Sequence, residues 1–232
     1  MVLYVWYPHP YGQLSGGRTL FMILVAVDVV CGPLLTLVLF NPRKPRRELV
    51  VDMSLVVLIQ FAALVYGMST AYQARPLFLV HEVDRFRVIS MPDFLGSDVS
   101  VALEALDPSM KPKLFEGPVT IGIRDPRDSD ERSSVMFESA AGGRDYSQRP
   151  EFYIPYDESY QTKVLARARP LKGFVERYPG IAAEAADLLR DRGVSVNEAL
   201  FLPVLHKQDW IAVLDKSASI LGFLPGDGFV VP

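Results

Sequence analysis

Residues 19–40 read TLFMILVAVDVVCGPLLTLVLF, an apolar run in which Asp28 is the only charged residue. As an α-helix with a rise of about 1.5 Å per residue, the run is roughly 33 Å long, which exceeds the hydrocarbon core of a bilayer at about 30 Å. Residues 53–72, MSLVVLIQFAALVYGMSTAY, form a second run without any charge. Both runs are too long for ordinary soluble core helices, so we predict two transmembrane helices, at 19–40 and 53–73.

The connection between the two runs, residues 41–52, reads NPRKPRRELVVD. It is too short to form a domain, which predicts that the helices make a hairpin, and its prolines end the first helix. Its basic residues are the predicted topology anchor; they are Arg43, Lys44, Arg46 and Arg47. Because short basic loops stay in the cytoplasm, residues 1–18 and 74–232 are predicted to be periplasmic. The predicted location is the bacterial inner (cytoplasmic) membrane, with multiple passes and a large periplasmic domain.

The N-terminal stretch MVLYVWYPHPYG begins with a short apolar segment that ends in Trp6 and Tyr7, residue types favoured at membrane interfaces. The stretch lacks the charged start and the full apolar region of a signal peptide. We interpret residues 1–18 as a periplasmic segment that includes the end of a truncated transmembrane helix. On this interpretation Met1 is an internal methionine or a fragment boundary, and the complete protein is expected to have three spans.

Asp28 falls near the middle of its predicted helix, where a carboxylate costs about 2.5–3.5 kcal/mol to insert. Such a group is expected to meet a polar partner or to become neutral. Gly32 and Pro33 follow about one turn later and permit a kink or a close helix contact, and Gln60 lies at a comparable depth in the second helix. These four residues are the candidate contacts for a partner helix. Three roles of Asp28 stay open: holding the hairpin together, meeting a helix of another protein, or belonging to a proton or ion pathway.

Residues 74–232 have the composition of a soluble domain and are numerous enough to bury a core. Strands are predicted in LFLVHEV, RFRVIS and GPVTIGIRD, and two or three more in residues 199–229. Helices are predicted in SDVSVALEAL, DESYQTKVLARARPLKGFVERYP and GIAAEAADLLRDRG. Residues 125–150 are expected to be mostly exposed loop with a helical middle. The predicted fold class is an α+β membrane protein, a transmembrane helical hairpin followed by a periplasmic α+β domain with an antiparallel sheet.

The chain carries a formal net charge of −3 and has no basic stripe outside the short loop, which argues against nucleic acid binding. Cys31 is the single cysteine, which excludes a disulfide framework and a cysteine metal site. The three histidines share no metal-ligand spacing, and no catalytic or phosphate-binding motif occurs. We therefore expect no catalytic residue, no cofactor and no metal, and we expect His81 to be a structural histidine.

Four stretches are specific in combination, although no single one would suffice. They are VWYPHPY at 5–11, GGRTLFMILVAVDVVCGPLLTLVLFNP at 16–42, LIQFAALVYGMSTAYQARPLFLVHEVDRF at 58–86, and the terminal LPV…WIAVLD…GFLPGDGF. Together they resemble the TfpX/TfpZ group of type IV pilin accessory proteins. The resemblance is dense over residues 4–90, thinner through the middle, and recoverable at the C-terminus.

Members of that group look like inner-membrane proteins with a periplasmic domain that act as accessory factors or chaperones for particular pilins. The resemblance implies a non-enzymatic chaperone that binds and stabilises a type IV pilin before or during pilus assembly. Its expected partners are the transmembrane helix and periplasmic head of the pilin, and membrane lipid. Two alternatives remain: a membrane-anchored periplasmic enzyme that acts on pilin or lipid, and a structural subunit or sensor of the envelope. The sequence identifies neither the client pilin nor the oligomeric state.

Overall fold

The computed structural model describes residues 5–39, 45–94 and 99–230, and within the second helix it leaves out a few side chains, that of Asp28 among them. The α-helices are α1 (Tyr11–Leu14), α2 (Gly17–Leu39), α3 (Arg46–Gln73), α4 (Val99–Glu104), α5 (Ser129–Ala140), α6 (Glu158–Leu165), α7 (Leu171–Arg177) and α8 (Ala182–Arg190). The strands are β1 (Pro76–Glu82), β2 (Arg85–Ser90), β3 (Val119–Ile123), β4 (Tyr153–Pro155), β5 (Arg169–Pro170), β6 (Leu200–Leu205), β7 (Trp210–Leu214) and β8 (Ile220–Pro225). The α+β class is confirmed: a long apolar helix is followed by a sheet domain.

Helix α3 is apolar on all sides, and Val56 is its only buried residue, while nearly all its other large apolar side chains are exposed. Lipid solvates such a surface better than water does, so it is typical of a membrane span. Among the described residues, α3 is the one helix long and apolar enough to cross a membrane. The apolar part of α2, Phe21–Leu34, is shorter, so the second span stays a prediction.

Helices α2 and α3 lie side by side. Gly32 of α2 faces Gln60 of α3, whose amide nitrogen lies 3.1 Å from the place that a Cβ at Gly32 would take. Glycine therefore permits the two backbones to approach closely at this level. Helix α3 begins at Arg46, so residues 46–52, which the sequence analysis placed in the loop, form its first turns.

The sheet has the strand order β4-β3-β1-β2-β6-β7-β8, and β5 pairs with β6 outside that path. The chain-adjacent pairs β1–β2, β3–β4, β5–β6, β6–β7 and β7–β8 are antiparallel, whereas β1–β3 and β2–β6 are parallel. The predicted antiparallel sheet is therefore wrong, because the sheet is mixed. A parallel pair requires a long crossover instead of a tight turn. Local sequence patterns indicate where hairpins form, but they do not indicate which distant strand pairs with the other edge of β1 or of β2.

Side chains alternate across the sheet, so most strands contribute to cores on both faces. On one face, residues such as Leu79, Phe86 and Leu202 pack against α6 and the N-terminal segment. On the other face, Phe78 and its neighbours pack against α4, while Phe201 and its neighbours pack against α7 and α8. The domain thus has three layers, with the sheet in the middle.

The N-terminal segment is part of the core of the domain. Leu14 is fully buried and Tyr11 nearly so, both in the cluster formed with β1, β2, β6 and β7. The ring of Tyr11 lies 5.5 Å from that of Phe223 on β8. Residues 1–18 were interpreted as a periplasmic segment with the end of a membrane helix; residues 1–4 lie outside the described part, and the rest gains a packing role that the sequence did not indicate.

The same segment holds the end of α3. The hydroxyl of Tyr7 donates a 2.9 Å hydrogen bond to the carbonyl of Ala71, and the ring of Trp6 packs edge-on against that of Tyr72 at 5.2 Å. Tyr7 is buried, and burial raises the pKa of its hydroxyl to about 12. The hydroxyl is therefore a neutral donor, and the N-terminal segment joins the apolar helix to the sheet domain.

We expect Leu14→Ala to destabilise the domain by about 2–5 kcal/mol, since a fully buried leucine would leave a cavity. This loss corresponds to a fall of roughly 5–15 °C in the melting temperature of the full-length protein in detergent. Met136→Ala is the matched control, because Met136 is 61% exposed. An unchanged melting temperature for Leu14→Ala would show that the N-terminal segment is not part of the folded core.

Candidate functional site

A cleft of about 540 Å³ opens at the end of the domain that lies far from α3. Its walls come from the β1–β2 turn, the end of β3, and helices α5 and α6. Strand β1 leads from the end of α3 to this turn, and its seven residues span about 20 Å. The cleft therefore lies at the opposite end of β1 from the apolar helix.

The floor of the cleft contains His81 of β1 and Tyr160 of α6. The Tyr160 hydroxyl lies 3.0 Å from His81 Nδ1 and donates to the His81 carbonyl at 3.3 Å. The ring of Tyr160 packs directly over Gly122 of β3, where a Cβ would come within 2.8 Å of the ring. Glycine at this position therefore allows α6 to lie close to the sheet.

His81 is 3% exposed, and its Nε2 atom has no hydrogen-bond partner among the described residues. With the Tyr160 proton given to the carbonyl, Nδ1–H donates to the hydroxyl oxygen, which leaves Nε2 as an acceptor. A buried acceptor without a partner is energetically costly.

The pKa of His81 is lowered to about 4, chiefly because burial disfavours the charged ring. Asp84 raises the pKa and Lys163 lowers it, both to a smaller extent. Burial likewise raises the pKa of Tyr160. At neutral pH the floor of the cleft therefore has no charge.

The rim combines apolar side chains with four cationic and two acidic ones. Val83, in the β1–β2 turn, and Met136, on α5, are 68% and 61% exposed. Val83 has φ of 58°, a left-handed conformation that is strained for a β-branched residue and that turns its side chain towards the cleft opening. Arg132 and Arg167 are exposed on the rim and form no ion pair with any residue that the structure describes. Lys163, in contrast, pairs with Asp125 at 2.7 Å.

Helix α5 is held in place by two ion-pair clusters. Arg124, directly after β3, donates two hydrogen bonds, of 2.9 and 2.8 Å, to Glu131, and these bonds lower the pKa of Glu131 to about 2. Near the other end, the buried Arg149 lies 2.6 Å from Glu138. Fixing both ends of α5 positions its exposed side chains along the cleft.

The cleft is suited to binding. Two rim cations can receive a carboxylate, and the apolar wall can receive an aliphatic or aromatic side chain. Within the described cleft residues, neither ring nitrogen of His81 contacts a carboxylate, serine or cysteine, which nucleophilic catalysis would require. The sequence analysis assigned His81 a structural role, and it missed the pair with Tyr160 because 79 residues separate the two.

The residues that the sequence singled out lie elsewhere, in the helical part. Gly32 and Gln60 face each other between α2 and α3, and Pro33 is an exposed residue inside α2. The side chain of Asp28 lies outside the described residues, so its contact with Gln60 stays a prediction. Of the predicted topology anchor, Arg46 and Arg47 are exposed at the start of α3, and the other two cations, Arg43 and Lys44, lie outside the described residues.

The fold and the cleft define a class of protein in which an α+β domain with a cleft follows a long apolar helix. The chain is 33% identical to the fimbrial assembly protein of serogroup I from Dichelobacter nodosus, over 99% of the chain and 88% of the relative. It is 32% identical to the serogroup E1 protein over the same shares. It is also 44% identical to the protein of serogroups C1 and C2, over 44% of the chain and 78% of that relative. The chain belongs to the family of fimbrial assembly proteins.

No family model matches the chain, and no solved structure matches it.

We expect stability to fall as the pH drops from about 6.5 towards 4, because the unfolded state then binds a proton that buried His81 does not. At pH 5 this effect amounts to about 2 kcal/mol for one such histidine. His81→Phe should therefore lose less stability between pH 7 and pH 5 than the wild type, as measured by thermal unfolding. In this variant the half-buried His206, whose pKa is also lowered to about 4 by burial, still contributes its own loss of stability at low pH.

Tyr160→Phe is the control for this measurement. It removes the hydroxyl but leaves His81 buried, so the pH dependence should persist. An unaltered pH dependence in His81→Phe would contradict the assignment.

Proposed function

We propose that this protein is an inner-membrane accessory factor that binds and stabilises a type IV pilin before or during pilus assembly. The observation that carries the proposal is the relationship, over nearly the whole chain, to proteins named fimbrial assembly proteins. The resemblance to type IV pilin accessory proteins supports the more specific part of the proposal, a role in binding and stabilising pilin. The features of the fold described below support the same assignment.

The proposed membrane part is a hairpin of α2 and α3. Helix α2 has 23 residues, which give a length of about 34 Å, and α3 is uncharged from residue 53 to its end. The contact at Gly32 and Gln60 supports pairing of the two helices. The cations before and at the start of α3 support a cytoplasmic connection, which would put the sheet domain in the periplasm.

A pilin in the membrane consists of one long apolar helix that carries a globular head outside. A partner that stabilises it needs a surface for the helix and a separate surface for the head. For the helix we propose the α2–α3 pair, with Asp28, Gly32, Pro33 and Gln60 as the contact residues. Because Gly32 already faces Gln60, the exposed Pro33 and the neighbouring turn of α2 are the parts most accessible to a client helix.

For the head we propose the cleft over His81. Its two unpaired arginines and apolar wall complement a segment that carries an acidic group beside an apolar side chain. Its position about 20 Å along β1 from the apolar helix suits contact with a folded head rather than with a membrane helix. We propose a non-enzymatic role, since the described cleft offers groups for binding but no activated nucleophile.

Deletion of the gene is expected to abolish pilus fibres and to lower the steady-state level of pilin, because unassembled pilin would lose its stabilising partner. Fibres are counted by electron microscopy and pilin is measured by blotting of membrane fractions. Normal fibres with normal pilin would refute the proposal. Loss of envelope integrity without a pilin-specific effect would instead favour a structural subunit or sensor.

Reversing both rim charges, Arg132→Glu with Arg167→Glu, should weaken capture of the pilin by about tenfold, since two favourable charge contacts become repulsive. Capture is measured by co-purification of the full-length protein with pilin from detergent-solubilised membranes. Both residues are exposed, so the melting temperature should not change. Arg192→Glu is the matched control, because this exposed residue follows α8 near the opposite edge of the sheet. Equal capture by both variants would exclude the cleft as the head-binding surface.

A further inference from the structure

The end of α3 is surrounded by groups that favour a membrane interface. The guanidinium of Arg75 stacks over the ring of Tyr72 at 3.7 Å and donates to its carbonyl at 3.0 Å. Trp6 packs against the same ring. The uncharged part of α3 ends at Gln73 after roughly 31 Å of helix, enough for the hydrocarbon core. Aromatic rings and a cation at that level correspond to the headgroup region.

A loop of the sheet domain lies beside this end of α3. It comprises residues 111–117, KPKLFEG, and we refer to it as the 111–117 loop. Its Pro112 shares a surface depression with Tyr72 and Arg75. A Cβ at Gly117 would lie 3.2 Å from Pro8 Cγ in the N-terminal segment. Both ends of the loop are therefore fixed next to the place where α3 leaves its apolar stretch.

The 111–117 loop exposes two adjacent apolar side chains between Lys113 and Glu116, which form an ion pair at 2.9 Å. Phe115 is 66% exposed and Leu114 is 43% exposed, and Lys111 and Lys113 precede them in the loop. Met91, which lines the same depression as Pro112, is also exposed, at 41%. Apolar tips beside charged groups suit the boundary between headgroups and acyl chains, because the apolar groups enter the chains while Lys111 and the Lys113–Glu116 pair stay among the headgroups.

We propose that the 111–117 loop inserts Leu114 and Phe115 into the periplasmic leaflet of the membrane beside α3. This inference rests on the proposed membrane crossing of α3, but it does not depend on pilin binding. The loop lies next to Trp6, Tyr72 and Arg75, which are residue types favoured at the membrane interface. Because the loop extends the same surface, lipid is the partner that we assign to it. Together with the joint that the N-terminal segment makes with α3, this contact limits tilting of the domain against the bilayer, and it holds the cleft over His81 away from the bilayer.

The test uses the full-length protein in nanodiscs of phosphatidylethanolamine with a minor share of phosphatidylglycerol. Cys31 is the only cysteine, so Cys31→Ser gives a background without thiols. Phe115→Cys in that background receives a polarity-sensitive nitrobenzoxadiazole label. Phe137→Cys is the matched control, because Phe137 is 77% exposed and lies on α5, whose residues Arg132 and Met136 line the cleft.

The label at position 115 should emit at shorter wavelength than the label at position 137, and nitroxide lipids should quench only the former. Co-elution of the protein with the nanodiscs verifies the membrane anchor separately. If the protein co-elutes and the label at position 115 behaves like that at 137, the loop does not contact lipid, whatever the fate of the pilin proposal. A change at position 115 that appears only when pilin is added would assign the loop to pilin and overturn the lipid contact. Circular dichroism of both variants excludes misfolding as the cause.

Discussion

The structure depends on the joint between the end of α3 and the sheet domain. Tyr7 donates a hydrogen bond to the carbonyl of Ala71, and a few residues later Leu14 is buried among the strands. Hydrogen bonding and hydrophobic burial thus act on one short segment that touches both parts of the protein. Without this joint the apolar helix and the domain would be connected by a single crossing of the chain.

A fixed joint gives the two ends of the domain different environments. The end near Tyr72 and Arg75 carries aromatic rings, lysines and an exposed apolar loop, which are suited to a lipid interface. The other end, about 20 Å along β1, carries the cleft with its neutral floor of His81 and Tyr160. One strand connects the two, so the proposed contact with lipid at one end would orient the cleft at the other.

The local parts of the fold were predictable, whereas the pairing of distant parts was not. The strands LFLVHEV and RFRVIS, and the helices after residue 157, follow from periodicity, which short segments carry within themselves. The sequence does not indicate the parallel pairs β1–β3 and β2–β6. Strands pair through backbone N–H and C=O groups, which are alike from residue to residue and therefore do not specify a partner strand. The role of Tyr11 and Leu14 was missed for a related reason, because a short apolar segment looks alike whether it enters a bilayer or a protein core.

By itself the sequence determined the long apolar helix, the α+β class and the resemblance to pilin accessory proteins, because length, charge and motif are properties of contiguous residues. Only the tertiary structure decided the mixed sheet, the burial of the N-terminal segment and the cleft. His81 and Tyr160 show why: 79 residues separate them, and nothing in either neighbourhood indicates the other. Their contact exists because α6 packs over Gly122 on the face of the sheet that β1 also shares. The same packing buries His81 Nε2 without a hydrogen-bond partner among the described residues, and a polar atom left unpaired in this way is costly only because it is buried.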